Sequence, residues 1–422
     1  MMATEGPFLA AIIARLPDPT VNLAAYGVAF ALAILIEAPV IMLMSASTSL
    51  VRDRVTYLKL RNFARFLGVA TTGLLLAVLI PSVYRWLTGT VLGLPPEVAD
   101  LTYGALWFFL PWPAAIAYRR FLQGVLIRAG KTRLVAWGTL IRLFGMVIAA
   151  LIGFFVLDLP GAWVGGLALG TGVTVEAIAA RFMAASSVRD LLEGKGDLEA
   201  RGRNVTYRDI AKFYFPLALT SFIGLSIQPL LTFFMGRSIA PLESLAVFPV
   251  VHALSFFFRS MGLALQDTAI ALMGERFTHL PELKKFALGL GLATSTGLAL
   301  VAFTPLSRLW FETVSGLTSE LASFALTPTQ VIVPLPFLAV LLSLQRAILV
   351  EGRKTHYITV ASALEVGCVA VLFILLGFRL DLVGATAAFG AFMGARLVSV
   401  SYLLVRCRSV LRDTPASTPR GA

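Results

Sequence analysis

The chain alternates between long apolar runs and short polar segments. Twelve runs stand out, at 1–16, 22–50, 63–85, 101–127, 133–157, 160–186, 211–236, 243–273, 284–308, 326–350, 355–378 and 382–406. Most reach the roughly 20 residues that carry a helix across a bilayer core about 30 Å thick. The runs are continuous and rich in Leu, Ala and Phe, without the two-residue alternation of a membrane barrel, so they predict helices. The expected fold class is an all-α polytopic membrane protein with twelve transmembrane helices. The first run has only sixteen residues and lacks a counterpart of Ile210–Leu225, so the first helix is expected to be truncated, with the start lying inside it.

The pattern is written twice. Thr4 to Asp53 lies over Ser226 to Glu275 at one offset: Pro7 falls on Pro229, Arg15 on Arg237, Pro19 on Pro241, and Leu23-Ala24 on Leu245-Ala246. Further on, Lys131-Thr132 falls on Lys354-Thr355, and Leu157 to Ala162 on Leu380 to Ala385. Six spans per copy start both copies on the same side of the membrane, so the repeats are parallel. The expected organisation is an N-terminal six-helix bundle over 1–186, a linker over 187–210, a C-terminal bundle over 211–407 and a flexible tail over 408–422. The Glu193-Gly194-Lys195-Gly196-Asp197 stretch marks the linker.

Charge orients the spans. Arg52, Arg54, Lys59, Arg61, Arg128, Lys131, Arg133, Arg189, Lys195, Arg201, Arg203, Arg208, Arg276, Lys284, Lys285, Arg353, Lys354, Arg406, Arg408 and Arg412 fall on one set of loops. Only Arg15, Arg85, Arg237, Arg308 and Arg379 fall on the other. Inserting segments leave Lys and Arg in the cytoplasm, so both termini are expected there, in a bacterial-type inner (plasma) membrane. The net charge of +12 is therefore a topology signal rather than a nucleic-acid footprint. Hydrophobic residues make up 58% of the chain and charged ones 14%, which excludes a soluble domain of this length. Cys368 and Cys407 form neither a disulfide framework nor a metal spacing.

Several ordered segments carry a family likeness. Asn22-Leu-Ala-Ala-Tyr-Gly-Val-Ala-Phe-Ala-Leu resembles the start of the second helix in multidrug and toxin extrusion (MATE) proteins. Gln123-Gly-Val-Leu-Ile-Arg-Ala-Gly-Lys-Thr resembles the turn between their fourth and fifth helices, and Gly161-Ala162 and Gly384-Ala385 sit at their fifth-to-sixth and eleventh-to-twelfth turns. The chain thus resembles the multidrug/oligosaccharidyl-lipid/polysaccharide (MOP) exporter superfamily. Leu23 to Ala29, Val51-Arg-Asp-Arg and Phe213-Tyr-Phe-Pro-Leu-Ala-Leu are most similar to its progressive ankylosis-type branch. The resemblance implies a V-shaped twelve-helix exporter working by alternating access. The ankylosis branch implies export of small organic or phosphate-bearing anions; the MATE branch implies cation or drug efflux driven by protons or sodium. Lipid-linked oligosaccharide flippases share the fold, and an uncoupled anion conductance stays open beside them.

No enzyme or cofactor signature emerges. Gly124 to Thr132 ends in Gly-Lys-Thr, but a phosphate loop needs four residues between its glycines and a preceding strand. Five residues stand there, after a membrane helix, so it reads as a helix-to-helix turn. Pro39, Pro111, Pro113, Pro334 and Pro336 fall inside predicted spans and are expected to kink them. The last four match in pairs across the repeat. Glu5, Glu37, Arg142, Glu176, Arg259, Asp267, Glu365 and Arg396 are ionisable residues inside predicted spans. Each must face protein, a cavity or a partner, because hydrocarbon cannot solvate it. Under the repeat Glu37 falls on Arg259, and Arg142 on Glu365. Glu37, Arg142, Arg259, Asp267 and Glu365 are the candidates for a solute or ion path in a central cleft; the alternative is ion pairing within each half. The expected partners are membrane lipids, a small solute and a coupling cation, either proton or sodium. Phe256-Phe257-Phe258 reads as a lipid-facing or packing run.

Overall fold

The computed structural model describes residues 4–194, 205–273, 277–352 and 354–413, with the side chains of 267, 271 and 413 left aside. Ten of the 24 residues of the expected linker, 195–204, and the last nine residues lie outside it. Helices carry almost the whole described chain, and its single non-helical pairing is a bridge between Ile239 and Val383. In order they are α1 (Glu5–Ile13), α2 (Pro19–Glu37), α3 (Leu43–Leu50), α4 (Arg54–Val78), α5 (Pro81–Arg85), α6 (Pro96–Phe108) and α7 (Trp112–Arg128). Then follow α8 (Thr132–Phe155), α9 (Gly161–Met183), α10 (Ala185–Leu192), α11 (Tyr207–Leu225), α12 (Ile227–Met235) and α13 (Pro241–Leu272). The remainder are α14 (Leu280–Phe303), α15 (Leu306–Arg308), α16 (Ser319–Val331), α17 (Leu335–Glu351), α18 (His356–Phe373) and α19 (Gly384–Asp413).

Eight stretches are long and apolar enough to cross a membrane, or ten when each of two bent pairs counts as one span. α4 turns by 69° into Pro81–Leu92, and α16 turns by 41° into α17. The other two expected spans fall short for visible reasons. α1 has nine residues. The fourth span is broken between α6 and α7, and Arg119 and Arg120 interrupt its apolar run. Large apolar side chains such as Trp137, Phe144, Phe182 and Phe286 are exposed, as hydrocarbon-facing surfaces require. This is a helical integral membrane protein.

The prolines break helices where sequence expects them to. Pro39 sits in a single 3₁₀ turn, Ala38–Val40, that separates α2 from α3. Pro111 and Pro334 are the N-caps of α7 and α17, with Pro113 and Pro336 in the first turns, where a missing N–H costs nothing.

The chain divides into two compact units: Met1–Glu5 with Ile12–Phe233, and Gly6–Ala11 with Phe234–Ala422. Helix α11 therefore packs with the first unit, although the sequence repeat begins near it. Its Tyr214 hydroxyl donates to the Pro39 carbonyl at 2.5 Å, next to the break in α2. α19 continues to Asp413, past the point expected to begin the tail.

The repeat is carved into the backbone. Left-handed residues recur at matching positions: Asp18 and Ala240, Gly93 and Gly316, Asp158 and Asp381. Three of these pairs' members are Asp and one is Ala, so the strain is held by context rather than by glycine freedom. π-helical turns recur at Trp86–Leu92 and Leu309–Val314. The Gly-Ala pairs have the same local task in each unit. The Asn22 side-chain oxygen accepts the Ala162 N–H at 2.9 Å, and the Ser244 hydroxyl accepts the Ala385 N–H at 3.0 Å. Each contact satisfies an orphan donor in the first turn of a helix, α9 or α19, and locks it to α2 or α13.

Candidate functional sites

In the first unit four helices, α1, α7, α8 and α9, converge on buried charge. Glu176 on α9 is 0% exposed, and Arg119 on α7 is 1% exposed. The Arg119 guanidinium pairs with Glu176 Oε2. Gln123, one turn further along α7, donates its Nε2 to Glu176 Oε1 at 3.0 Å. Arg142 on α8 lies with its Nε 3.6 Å from Glu176 Oε2, and its Nη2 pairs with Glu5 on α1. α8 and α9 approach closely here because Gly172 has no side chain; a Cβ on it would come within 3.0 Å of the Arg142 carbonyl. The result is a connected chain, Glu5–Arg142–Glu176–Arg119, in which every charge has a countercharge. Such a network is costly to break and ties helices together.

Glu37 stands apart from that chain. It closes α2, is 7% exposed, and accepts the indole N–H of Trp112. Trp112 opens α7 directly after Pro111, and its ring meets Phe109 edge-on at 5.4 Å. The acid thus sits beside two proline breaks, after Glu37 in α2 and before Trp112 in α7. Among the described residues of its unit no cation pairs with Glu37.

The second unit is different. Glu365 on α18 pairs with Arg396 on α19, Nη2 to Oε1, at 2.7 Å. Arg259 on α13 is 8% exposed. Its guanidinium lies 5.2 Å from the Phe392 ring centre, and that of Arg396 lies 5.3 Å from the same centre. A ring face offers cations partial compensation, worth about 0.5–2 kcal/mol, but no hydrogen bonds. Arg259 Nε and Nη1 are buried without a hydrogen-bond partner, as is Nε of Arg346 on α17. Among the described side chains, Arg259, Arg346 and Arg396 face one interior acid, Glu365. The arrangement holds spare guanidinium capacity suited to an anion.

Of the residues expected to line a path, Arg142 and Glu365 are thus each paired inside their own unit, and Glu37 and Arg259 make no ion pair among the described residues. The Asp267 side chain lies outside the described residues. Sequence reasoning passed over Arg119 and Arg346. Both lie inside predicted spans, which was the signal available, and Arg119 is the direct partner of Glu176.

No family model matches the chain, and no curated protein does. Solved structures do. One is described as the inward-facing conformation of a multidrug resistance MATE family transporter of the MOP superfamily: TM-score 0.74, 16% identity, covering 97% of this chain and 96% of that one. The chain shares the fold of that structure. A lipid II flippase, MurJ, in an inward closed conformation matches with TM-score 0.71 and 16% identity over 98% of this chain and 87% of that one. An outward-facing MATE transporter matches with TM-score 0.66 and 15% identity over 98% and 94%. These neighbours are transporters and a flippase rather than enzymes. They lend no support to the progressive ankylosis-type branch. The MOP fold is the frame here, and it leaves the chemistry to the charges just described.

Proposed function

We propose that this protein is a secondary active transporter that exports a small charged or amphiphilic solute by alternating access, coupled to a proton or sodium gradient. The observation that carries the reading is fold agreement over nearly the whole chain with structures described as inward-facing and outward-facing. The buried charges support it further, because ionisable groups kept inside membrane helices usually serve a path, a coupling ion or a structural pair. Glu37 is assigned to the coupling cation. Arg259, with Arg346 and Arg396 close to the same acid, is assigned to an anionic group on the solute. Arg142 and Glu365 hold their neighbours in place, and Asp267 stays a candidate by sequence position.

A second reading is favoured by a specific pair of observations. The surplus of arginines in the second unit and the fold agreement with a lipid II flippase suit a lipid-linked, phosphate-bearing substrate. Reconstituted protein separates the two. Export of a labelled anionic metabolite that follows an imposed pH or sodium gradient supports the exporter. Gradient-independent scrambling of a labelled lipid pyrophosphate supports the flippase, and gradient-independent anion flux supports a conductance.

Cytoplasmic termini, in an inner membrane, belong to the same proposal. Cysteines introduced singly as Gly196→Cys and Ser319→Cys, in a background without Cys368 and Cys407, should label oppositely with an impermeant thiol reagent in intact cells. Equal labelling overturns the topology.

A further inference from the structure

The two units carry the same helix pair, α4 with α7 and α14 with α17, and differ at one place along it. On α4 and α14 the repeat keeps Leu60/Leu283, Phe63/Phe286, Ala64/Ala287, Leu67/Leu290, Gly68/Gly291 and Thr71/Thr294. The conserved geometry is visible in the hydroxyls: Thr71 donates to the Leu67 carbonyl at 2.8 Å, and Thr294 to the Leu290 carbonyl at 2.9 Å. Yet only the facing helix of the second unit fills the space beside its glycine. A Cβ on Gly291 would come within 2.6 Å of the Phe337 ring. At the matching position α7 has Ala114, and a Cβ on Gly68 would meet only the Ala117 Cβ at 3.2 Å and the Ala114 Cα at 3.4 Å.

The space that Phe337 fills is a groove of about 160 Å³ in the first unit. It runs along one stripe of α4, from Arg61 and Arg65 to Gly68 and Val69, with Ala114 and Tyr118 on its α7 wall. That length is about 12 Å at 1.5 Å per residue. Its two ends are unlike. Two guanidiniums one helical turn apart stand at the end nearer the basic loop that holds Arg52 and Arg54. Small apolar groups line the other end, next to the exposed Phe66 and Val69. Arg61 lies over the Tyr57 ring at 5.9 Å, and its Nε is buried without a hydrogen-bond partner. The second unit has lost the second cation and the phenol along with the space: Leu288 replaces Arg65 and Leu341 replaces Tyr118, while Lys284 replaces Arg61.

We infer that this groove binds one anionic phospholipid, with its phosphate between Arg61 and Arg65 and the start of an acyl chain along Gly68, Val69 and Ala114. Charge complementarity selects the occupant. A zwitterionic headgroup neutralises itself, whereas a phosphatidylglycerol or similar headgroup brings one net negative charge to two cations at membrane-surface depth. A fork of guanidinium donors suits phosphate oxygens better than lysine does, which fits the loss of the site where Lys284 stands. The site is separate from the interior charges assigned to transport.

Native mass spectrometry of the full-length protein, released from mixed phosphatidylglycerol and phosphatidylcholine nanodiscs, tests this. The wild type should retain one phosphatidylglycerol in preference to phosphatidylcholine. Arg61→Ala with Arg65→Ala should weaken that retention roughly thirtyfold, since each cation near a bilayer surface contributes about a fivefold preference. Ala114→Phe keeps both charges, imitates the second unit and should also abolish retention. Lys284→Ala should leave it unchanged. Inorganic phosphate at millimolar concentration should fail to displace the lipid; if it displaces it, the site binds free phosphate and the lipid assignment falls. Equal retention of both lipids, or retention unchanged in the double arginine variant, overturns the inference. Should Ala114→Phe not fold, the double arginine variant and the phosphate competition still decide.

Discussion

The two units share a frame and part company in their charges. Both use a left-handed residue before the second helix of the repeat, a π-helical turn after the third, and a side chain on the second helix that caps the sixth. In the first unit Glu5, Arg142, Glu176 and Arg119 form one connected chain in which each charge has a countercharge, with Glu37 apart from it. In the second, one acid serves several arginines, and a phenylalanine ring stands where a carboxylate would. Duplication thus preserved what fixes the backbone and let the solvating chemistry diverge. A network of matched charges suits a part that must hold together. One with more cations than acids suits a part that receives an anion.

The largest effect that tests this contrast is on stability in the first unit. Glu176→Ala leaves Arg119 and Arg142 facing each other with one fewer counterion. Breaking a buried pair of this kind costs about 3–5 kcal/mol. Thermal unfolding in detergent should show it, with Glu176→Gln intermediate because the Gln123 contact can persist. A loss below about 1 kcal/mol would mean that the network is not the tie described here.

Arg259→Met tests the other side. Removing a guanidinium that makes no ion pair among the described side chains should change unfolding by no more than about 1 kcal/mol. Anion export should fall by about 10- to 100-fold, since a hydrogen bond to a charged group is worth about 1.5–3 kcal/mol. Normal export with lowered stability would reverse the assignment and make Arg259 a structural residue. Glu37→Gln belongs beside it: export should persist down a solute gradient and lose its dependence on the driving cation.

The smallest effect sharpens the shared part of the comparison. Asn22→Ala and Ser244→Ala each remove one acceptor for a first-turn N–H, at a cost of about 1 kcal/mol. Asn22 also donates to the Pro17 carbonyl at 2.9 Å and the Asp18 carbonyl at 3.2 Å, so its loss should be the larger of the two. If only one substitution matters, the repeated caps are not equivalent.

Much of the frame could be read in advance, for physical reasons. Membrane insertion writes itself into sequence as apolar length and one-sided Arg and Lys. A parallel duplication keeps prolines, Gly-Ala pairs and Leu-Asp-Leu turns in register. The breaks at Pro39, Pro111 and Pro334 followed from proline's missing donor alone. What could not be read was pairing. Nothing local ties Glu5 to Arg142 or Arg119 to Glu176; those contacts depend on which helix faces meet. The repeat marked Arg142 and Glu365 as equivalent and opposite charges without saying what each meets; Arg142 pairs with Glu5 and Glu365 with Arg396, each inside its own unit. The π-helical turns were equally hidden, because an extra residue in a helical turn leaves no compositional mark beyond Gly93 and Gly316.

The division of the chain has a consequence for the order in which the molecule is made. Gly6–Ala11 belongs with the second unit, where Gly6 lies against Ala253; a Cβ on Gly6 would stand 3.0 Å from that of Ala253. The ribosome produces these residues some 250 residues before their packing partner. At about 5–20 residues per second the wait is roughly 12 to 50 s. Through that interval the opening helix sits in the membrane without its final neighbours. α11 imposes a shorter wait of the same kind on the first unit, which cannot seal the break at Pro39 until Tyr214 arrives. Assembly of this protein therefore runs against the order of synthesis at both ends of its first half.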